Sequence, residues 1–338
     1  LMTVAFAAVP KASALKNYTS TKYAEAVDVM VGLGVIDGVS GDLQPAGNVT
    51  REQAAKIICT MLMGSNASSL STTSAYFTDV PATRWSAPYI AYCVEKGIVS
   101  GVGGGKYNPT GDVTGNQFAK MLLVALGYDA DIQGYKGTNW AVNVASDAAT
   151  AGIFSGNTSA NKNVAATREE ACLYAFNTLK ATMVKYENKG TTITIGNTNV
   201  AVGASTPSNV TGMTYDYRGV VGTYGDTQQF CEKYFYNTDA NGSKLVYTTS
   251  DDAMNRPSRN WYYGVAPATD PQVAATKIGS YKATPIATYT AKTTDATILT
   301  AMGLNATTVV SQCTNGGAYS NQTLTAAAQT TANGTGNG

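Results

Sequence analysis

The fold of this chain is decided by the stretch Trp85-Ser-Ala-Pro-Tyr-Ile-Ala-Tyr-Cys-Val-Glu-Lys-Gly97-Ile-Val-Ser-Gly101. It aligns without gaps on residues 22–38 and on residues 140–156, which end in the same way, at Gly38 and at Gly156. A repeated unit of this length cannot bury its apolar face alone, so neighbouring copies must pack together. We therefore predict three copies with a shared core in the first half of the chain. We also expect residues 15–186 to act as a single unit in binding whatever ligand the chain has.

Each copy is predicted to be a helix–loop–helix unit. In the first copy, apolar residues recur at helical spacing from Lys22 to Leu33, and Gly34 is a typical stop signal. After a turn-rich loop, Thr50 is predicted to cap a second helix, with Gln53 as its capping-box partner. The other copies repeat this anchor as Thr114-Gly-Asn-Gln and Thr167-Arg-Glu-Glu.

The character of the sequence changes after about Tyr186. Thr191–Ile195 and Lys244–Thr249 alternate like strands, and the segment from Tyr281 to Thr290 is rich in Thr and Tyr. We predict a multidomain chain, an α-helical triple repeat followed by a β-rich region. The predicted segments are a remnant of a secretion signal (1–14), three repeats (15–70, 71–131 and 132–187) and the β-rich region (188–338).

Composition excludes several classes of function. The chain has no histidine, which removes Ser-His-Asp and Cys-His catalysis and every metal site that needs histidine. The formal net charge is +1, so no global field attracts nucleic acid or an acidic membrane. Glu232 is the only glutamate beyond Lys189, which is thin material for a pair of catalytic carboxylates. We predict no enzyme activity, no cofactor and no metal.

The five cysteines form no CxxC pair, which argues against a zinc knuckle or a thioredoxin-type site. Cys59, Cys93 and Cys172 lie in apolar helical stretches and are predicted to be small core residues. The sequence leaves open whether Cys231 and Cys313 pair.

Both ends of the chain carry signals of their own. Residues 1–14 resemble the tail of a secretory signal, with an apolar run that ends in small residues. No stretch of about 20 apolar residues occurs, so no membrane span is predicted. Residues 330–338 are of low complexity, and we expect a cut inside a longer protein there.

Several anchors of the copies, most of them in the second copy, resemble the S-layer homology domain. They are Phe77-x-Asp79-Val-x-x-x-Trp85, then Ile90, Gly97-Ile98, Gly101, Tyr107-x-Pro109 and the Thr-Arg-Glu-Gln type of anchor. The resemblance covers about residues 18–186 and implies a pseudo-threefold helical assembly. It further implies that grooves between copies bind secondary cell-wall polysaccharide, often through a pyruvylated sugar.

Five residues are candidates for the polysaccharide site. Arg51 and Arg168 follow a helix N-cap, where a guanidinium suits a carboxylate; the alternatives are a solvated surface arginine or an intramolecular pair with a neighbouring acid. This anchor is predicted to be exposed. Trp85 and Trp140 either stack on a sugar ring or belong to the core. Asp79 either accepts hydrogen bonds from sugar hydroxyls or caps the following helix.

Three departures from the family pattern bear on how many grooves work. Lys22 stands where tryptophan is expected, Gly115 replaces the anchor arginine of the second copy, and the third copy lacks the loop proline. We therefore expect one or two competent grooves.

The predicted function is non-covalent anchoring of a secreted, S-layer-type surface protein to the cell wall, with self-association in a surface lattice as a further expectation. The alternatives are a wall-anchored adhesin, or a wall-anchored hydrolase whose catalytic domain lies beyond residue 338.

Overall fold

The computed structural model describes residues 10–195, 198–211, 227–235, 243–251, 257–265, 276–282, 297, 309–313 and 319–323. The chain divides into two compact units, residues 1–281 and residues 282–338. Residues 1–9 of the expected signal remnant, residues 283–290 of the Thr- and Tyr-rich segment and the low-complexity end lie outside the described residues.

The first unit carries two helices within each of the three aligned segments of the sequence. Their bounds are α1 (Ala24–Gly32) and α2 (Arg51–Met63) in copy 1, α3 (Ala87–Glu95) and α4 (Gly115–Leu126) in copy 2, α5 (Trp140–Thr150) and α6 (Arg168–Lys180) in copy 3, and a short α7 (Phe230–Tyr234) beyond the copies. Three short 3₁₀ turns cover Ala12–Ala14, Tyr18–Ser20 and Gly64–Ser69.

The predicted start and stop signals are confirmed in all three copies. Thr50, Thr114 and Thr167 each accept a hydrogen bond from the backbone N–H three residues later, and the side chain of that residue bonds back to the cap, which completes a capping box. The first helices end at glycines with positive φ, 68° at Gly34 and 70° at Gly97. Only glycine adopts this conformation without strain, which is why it ends the helix.

Each first helix packs on the second helix of the preceding copy. α3 contacts α2, α5 contacts α4, and α1 closes the series by contacting α6. The segments that precede the second helices are joined in the same cyclic order. Val113 N–H donates to the Val49 carbonyl, Ala166 to Val113, and Val49 to Ala166, each at 2.9 Å. This closure brings residues of all three copies together at each junction.

The core of the first unit lies between the helices. The second helices place fully buried side chains there, among them Ile58, Leu122 and Cys172. Cys59, Cys93, Cys172 and Cys231 are buried and free. The prediction of Cys59, Cys93 and Cys172 as core residues is therefore confirmed.

Three strand pairs of the first unit are antiparallel. β1 (Val184–Lys185) pairs with β4 (Ser208–Asn209), and β2 (Thr191–Ile195) pairs with β3 (Thr198–Val202). A three-stranded sheet runs in the order β5 (Ser243–Asp251), β6 (Pro257–Val265) and β7 (Thr276–Lys282), and in it β5 with β6 is the third antiparallel pair. The two alternating segments, 191–195 and 244–249, are confirmed as strands.

The three-stranded sheet shares the helical core. Trp261 on β6 is fully buried, its ring meets Phe176 of α6 edge-on at 5.3 Å, and its indole N–H donates to Glu25 at 2.8 Å. Arg259 Nε also donates to Glu25, at 2.8 Å. Copies 1 and 3 therefore both contact Arg259 or Trp261, two residues of the sheet that lie more than 70 positions after the last copy ends at residue 187.

The second unit contains a described hairpin. β8 (Val309–Cys313) pairs antiparallel with β9 (Tyr319–Thr323), in a register that sets Val309 opposite Thr323.

Candidate functional site

Groove 1 is a cleft of about 190 Å³ at the junction of the three copies. Copy 1 supplies most of its wall, copy 2 supplies Trp85 and copy 3 supplies Arg168. Its lining residues are Val35, Ile36, Asp37, Gly38, Val39, Val49, Gln53, Lys56, Ile57, Trp85 and Arg168.

Groove 2 is a cleft of about 370 Å³ at the next junction. Copy 2 supplies most of its wall, copy 3 supplies Trp140 and copy 1 supplies Arg51. Its lining residues are Arg51, Ile98, Val99, Ser100, Gly101, Val102, Tyr107, Val113, Gln117, Lys120, Met121, Tyr135, Lys136 and Trp140.

The two grooves match position for position. In the repeat alignment Gln53 corresponds to Gln117 and Lys56 to Lys120, each pair at the same offset from its threonine cap. The two grooves also contain both predicted arginines and both predicted tryptophans. Each groove therefore joins one arginine, one tryptophan, one lysine and one glutamine.

The two arginines make the same contacts in their grooves. Arg51 donates from Nε to the Tyr107 carbonyl at 2.8 Å and from Nη2 to the Ser100 carbonyl at 3.0 Å. Arg168 donates from Nε to the Leu43 carbonyl at 2.9 Å and from Nη2 to the Asp37 carbonyl at 2.5 Å. Each guanidinium thus ties down the loop that forms the groove wall, and each adds positive charge to the groove.

The arginines differ in burial. The expectation that this anchor is exposed is wrong for Arg168, which is 7% exposed, because the loop of copy 1 closes over it. That burial lowers the pKa of Arg168 below its ordinary value. Arg51 is half-buried and lies 4.5 Å from the centre of the Tyr107 ring.

Both tryptophans lie at the groove surface. Trp85 is 52% exposed, so one side of its indole is open to a ligand. Trp140 is half-buried, and the ammonium of Lys120 lies 6.0 Å from its ring centre. An exposed indole that borders a cleft suits the apolar face of a sugar ring.

Asp79 lines neither groove and does not cap α3. Its carboxylate accepts the backbone N–H groups of Tyr107 (2.8 Å) and Asn108 (2.7 Å), and so fixes the end of the loop beside groove 2. Although desolvation alone would raise the pKa of Asp79, these two hydrogen bonds hold it below its usual value.

The second anchor position after each cap holds the next copy in place, which the sequence interpretation missed. Glu52 is buried, accepts two hydrogen bonds from Arg84 (2.8 and 2.9 Å) and a third from Ser86 (2.6 Å). Arg84 and Ser86 flank Trp85, so Glu52 positions that indole at groove 1. The matching residue of copy 3, Glu169, accepts the backbone N–H of Lys22 at 2.8 Å.

The third junction carries different residue types at the positions of the groove tryptophan, arginine and lysine. Lys22 stands at the tryptophan position, Gly115 at the arginine position and Leu173 at the lysine position. A Cβ on Gly115 would lie 3.0 Å from the Lys162 carbonyl oxygen. Phe154 meets Tyr174 edge-on at 5.0 Å, and the Lys162 ammonium lies 5.4 Å from the Phe154 ring centre.

Part of the chain is similar in sequence to known proteins. The S-layer homology domain matches residues 16–55 and 76–119. The chain is 32% identical over 184 residues to "Surface-layer 125 kDa protein" of Lysinibacillus sphaericus, which covers 49% of this chain and 15% of that protein. It is 28% identical over 190 residues to "Cell surface protein" of Thermoanaerobacter kivui, covering 55% and 23%.

A third relative is an enzyme by name. The chain is 36% identical over 106 residues to "Endoglucanase" of Bacillus sp. (strain KSM-635), covering 29% of this chain and 11% of that protein. The chain thus spans between about a tenth and a quarter of the length of these relatives.

Two segments of the chain, one in copy 1 and one in copy 2, thus match S-layer homology domains, a type of domain that binds the cell wall. The predicted resemblance is confirmed for these segments, and the matches indicate a cell-wall-associated surface protein. Within the described ranges, none of the helices has the length and apolarity to cross a membrane.

Proposed function

We propose that this chain anchors a secreted surface protein to the wall by binding secondary cell-wall polysaccharide non-covalently in groove 1 and groove 2. In this proposal the three copies, residues 15–70, 71–131 and 132–187, form a pseudo-threefold assembly. The support is the cyclic packing of the helices and the matched contacts of Arg51 and Arg168.

One observation carries the proposal: the same four residue types meet in both clefts, and each cleft draws them from all three copies. An exposed indole offers a stacking surface for a sugar ring, and a glutamine amide can pair with hydroxyls. A lysine ammonium and a guanidinium line each cleft, and where no carboxylate of the groove wall faces them they favour an acidic substituent such as a pyruvyl ketal. In this mechanism the arginine also keeps the loop wall in place.

The test is co-sedimentation of the whole chain with purified wall sacculi, before and after chemical removal of the secondary polysaccharide. The whole chain is used because Trp261 lies in the core that the copies share. We expect Trp85→Ala and Trp140→Ala each to weaken binding and the double variant to abolish it. Val142→Ala is the matched control, because Val142 is 71% exposed and lines neither groove. Undiminished sedimentation with stripped sacculi would show that another wall component is the ligand.

Two grooves, not three, are proposed to be competent. The third junction lacks the tryptophan, the arginine and the lysine together, and Phe154, Tyr174 and Lys162 pack against one another there. Calorimetry with a pyruvylated saccharide should give two sites per chain, and three equal sites would contradict the assignment.

A lattice is a separate proposal. The surface-layer relative suggests that whole proteins of this kind associate laterally. Sedimentation velocity over a hundredfold range of concentration would test this, and a monomer throughout would count against association by this chain alone.

A wall-anchored hydrolase is the second candidate function, favoured by the endoglucanase relative. The matched segment is 29% of this chain, so the shared part is compatible with a common anchor. Release of reducing sugar from cell-wall glycans or cellulose by the whole chain would favour the hydrolase.

A further inference from the structure

Asp37 and Ser100 occupy the same position in the two grooves. The backbone carbonyl of each accepts a hydrogen bond from Nη2 of the groove arginine, Arg168 in one case and Arg51 in the other. Both side chains are exposed at the cleft. The two grooves therefore carry a carboxylate and a hydroxyl at one equivalent place.

The Asp37 carboxylate gives the lysine of groove 1 a different partner from that of the matching lysine in groove 2. In groove 1 the ammonium of Lys56 donates to Asp37 Oδ2 at 2.6 Å, so this cation faces an internal anion. In groove 2 the matching ammonium, Lys120, donates to the neutral carbonyl of Tyr135 at 2.8 Å. Its charge is therefore not cancelled by the groove wall.

Groove 2 also holds a further cation. Lys136 lines it, and although Lys136 pairs with Asp131 at 2.6 Å, both side chains of that pair are more than 60% exposed and Asp131 is not part of the lining. Desolvation, and then the nearby charge of Lys136, lower the pKa of Lys120. Two ammonium groups near one another in a cleft favour an anion between them.

We infer that the two grooves select saccharides of different charge, with groove 2 binding a sugar that carries a carboxylate and Asp37 making groove 1 prefer an uncharged sugar. This inference rests on the proposed function. A carboxylate entering groove 1 must approach Asp37 or displace it from Lys56, whereas one entering groove 2 meets Arg51, Lys120 and Lys136. Groove 2 is also the larger, at about 370 Å³ against about 190 Å³.

The chain offers a reporter for each groove, because its three tryptophans are Trp85 in groove 1, Trp140 in groove 2 and the fully buried Trp261. Labelling the whole chain with 5-fluorotryptophan gives three ¹⁹F resonances, of which the third reports on the fold alone. The probes are the methyl glycoside of 4,6-O-pyruvylated N-acetylglucosamine and the methyl ester of the same compound, which differ in one charge.

We expect the acid to titrate Trp140 at lower concentration than Trp85, and the ester to reduce or reverse this order. Asp37→Ser should tighten binding of the acid at Trp85 by about two- to fivefold, which is the scale of one exposed charge interaction. The affinity for the ester at Trp85 should stay within about twofold of its value in the unmodified chain. Ser100→Asp is the matched reverse exchange and should weaken the acid at Trp140 by a similar factor. An unchanged Trp261 resonance verifies that each variant is folded.

Two results would overturn the inference: the same ratio of acid to ester affinity in both grooves, or a ratio at Trp85 that Asp37→Ser leaves unchanged. Should neither groove resonance respond to either saccharide while the chain still sediments with unstripped sacculi, the inference fails and anchoring stands. If the unmodified chain did not sediment with unstripped sacculi, the proposed function itself would be wrong.

Discussion

Replacement of Glu52 by alanine is the sharpest test of how one copy holds the next. Its carboxylate is buried and accepts two hydrogen bonds from Arg84 and one from Ser86. The substitution strands the fully buried Ser86 hydroxyl, at a cost of about 1 kcal/mol, near the low end for an unsatisfied buried group. It also removes the partner of Arg84.

The cost at Arg84 is below that of a fully buried pair. Breaking a buried ion pair costs about 3–5 kcal/mol, but the Arg84 side chain is 27% exposed and can turn to water, which leaves about 1–2 kcal/mol. The expected total for Glu52→Ala is therefore about 2–3 kcal/mol of unfolding free energy. Urea denaturation followed by circular dichroism measures it.

Two further variants make the measurement specific. Asn116 occupies the Glu52 position in copy 2, and its Oδ1 is buried with no hydrogen-bond partner among the described residues. Its Nδ2 donates to Oδ1 of Asn163 at 2.9 Å, and because Asn163 is exposed, that oxygen can pair with water once the amide is gone. Asn116→Ala should therefore cost less than about 1 kcal/mol. In a double-mutant cycle, Glu52→Ala with Arg84→Ala should lose at least 1 kcal/mol less than the sum of the single variants. Two results would show that Glu52 does not hold copy 2 through Arg84 and Ser86. One is additive losses in the double-mutant cycle, and the other is a Glu52→Ala variant whose unfolding free energy lies within about 0.5 kcal/mol of the unmodified chain.

Three more expectations follow from burial and charge. The pKa of Asp28 is raised, chiefly by desolvation, so this group favours folding below the unfolded pKa of about 3.9 and loses that contribution as pH rises. Asp28→Asn should thus gain stability over the unmodified chain as pH rises from about 4 to 7, and urea midpoints that stay parallel across that range would contradict it. Arg168→Ala should destabilise the chain more than Arg51→Ala, by at least about 1 kcal/mol, because only Arg168 is buried; equal urea midpoints would speak against this. Trp261→Ala should cost about 3–5 kcal/mol, and an isolated fragment 15–186 should melt below the whole chain; calorimetric melting temperatures that agree would show that the sheet adds nothing.

The local parts of the fold were predictable from the sequence. Thr50 with Gln53, and Gly34 after an apolar stripe, encode helix ends through contacts within a few residues, and the structure confirms them. The alternating segment 191–195 is likewise confirmed as a strand. Such signals are local, so a single sequence is enough to recognise them.

What could not be predicted depends on distant contacts. An arginine after an N-cap is ordinarily at the surface, and Arg168 is buried only because a loop 125 residues away supplies the Leu43 carbonyl. Glu25 gives no local sign that it will bind Trp261 and Arg259. The groove lysines could have been found, since Lys56 and Lys120 lie at one offset from their caps.

The cyclic order of the copies also explains why the sequence departures matter together. Lys22 and Gly115 are two of the departures noted in the sequence, and Leu173 is a further one that the groove lysines reveal; the three residues belong to three different copies. In the structure the Lys22 N–H binds Glu169, Gly115 N–H donates to the Val164 carbonyl, and Leu173 lies beside Gly156. All three positions therefore meet at the junction built on copy 3.

A groove that needs one residue from each copy loses nothing further once one of them is gone. Substitutions at the other two positions of that junction then cost no binding, whereas the same substitutions elsewhere would damage a working groove. Concentration of all three at one junction is what this logic predicts for a chain that keeps two grooves. The intact sets, Arg168 with Trp85 and Arg51 with Trp140, lie at the other two junctions.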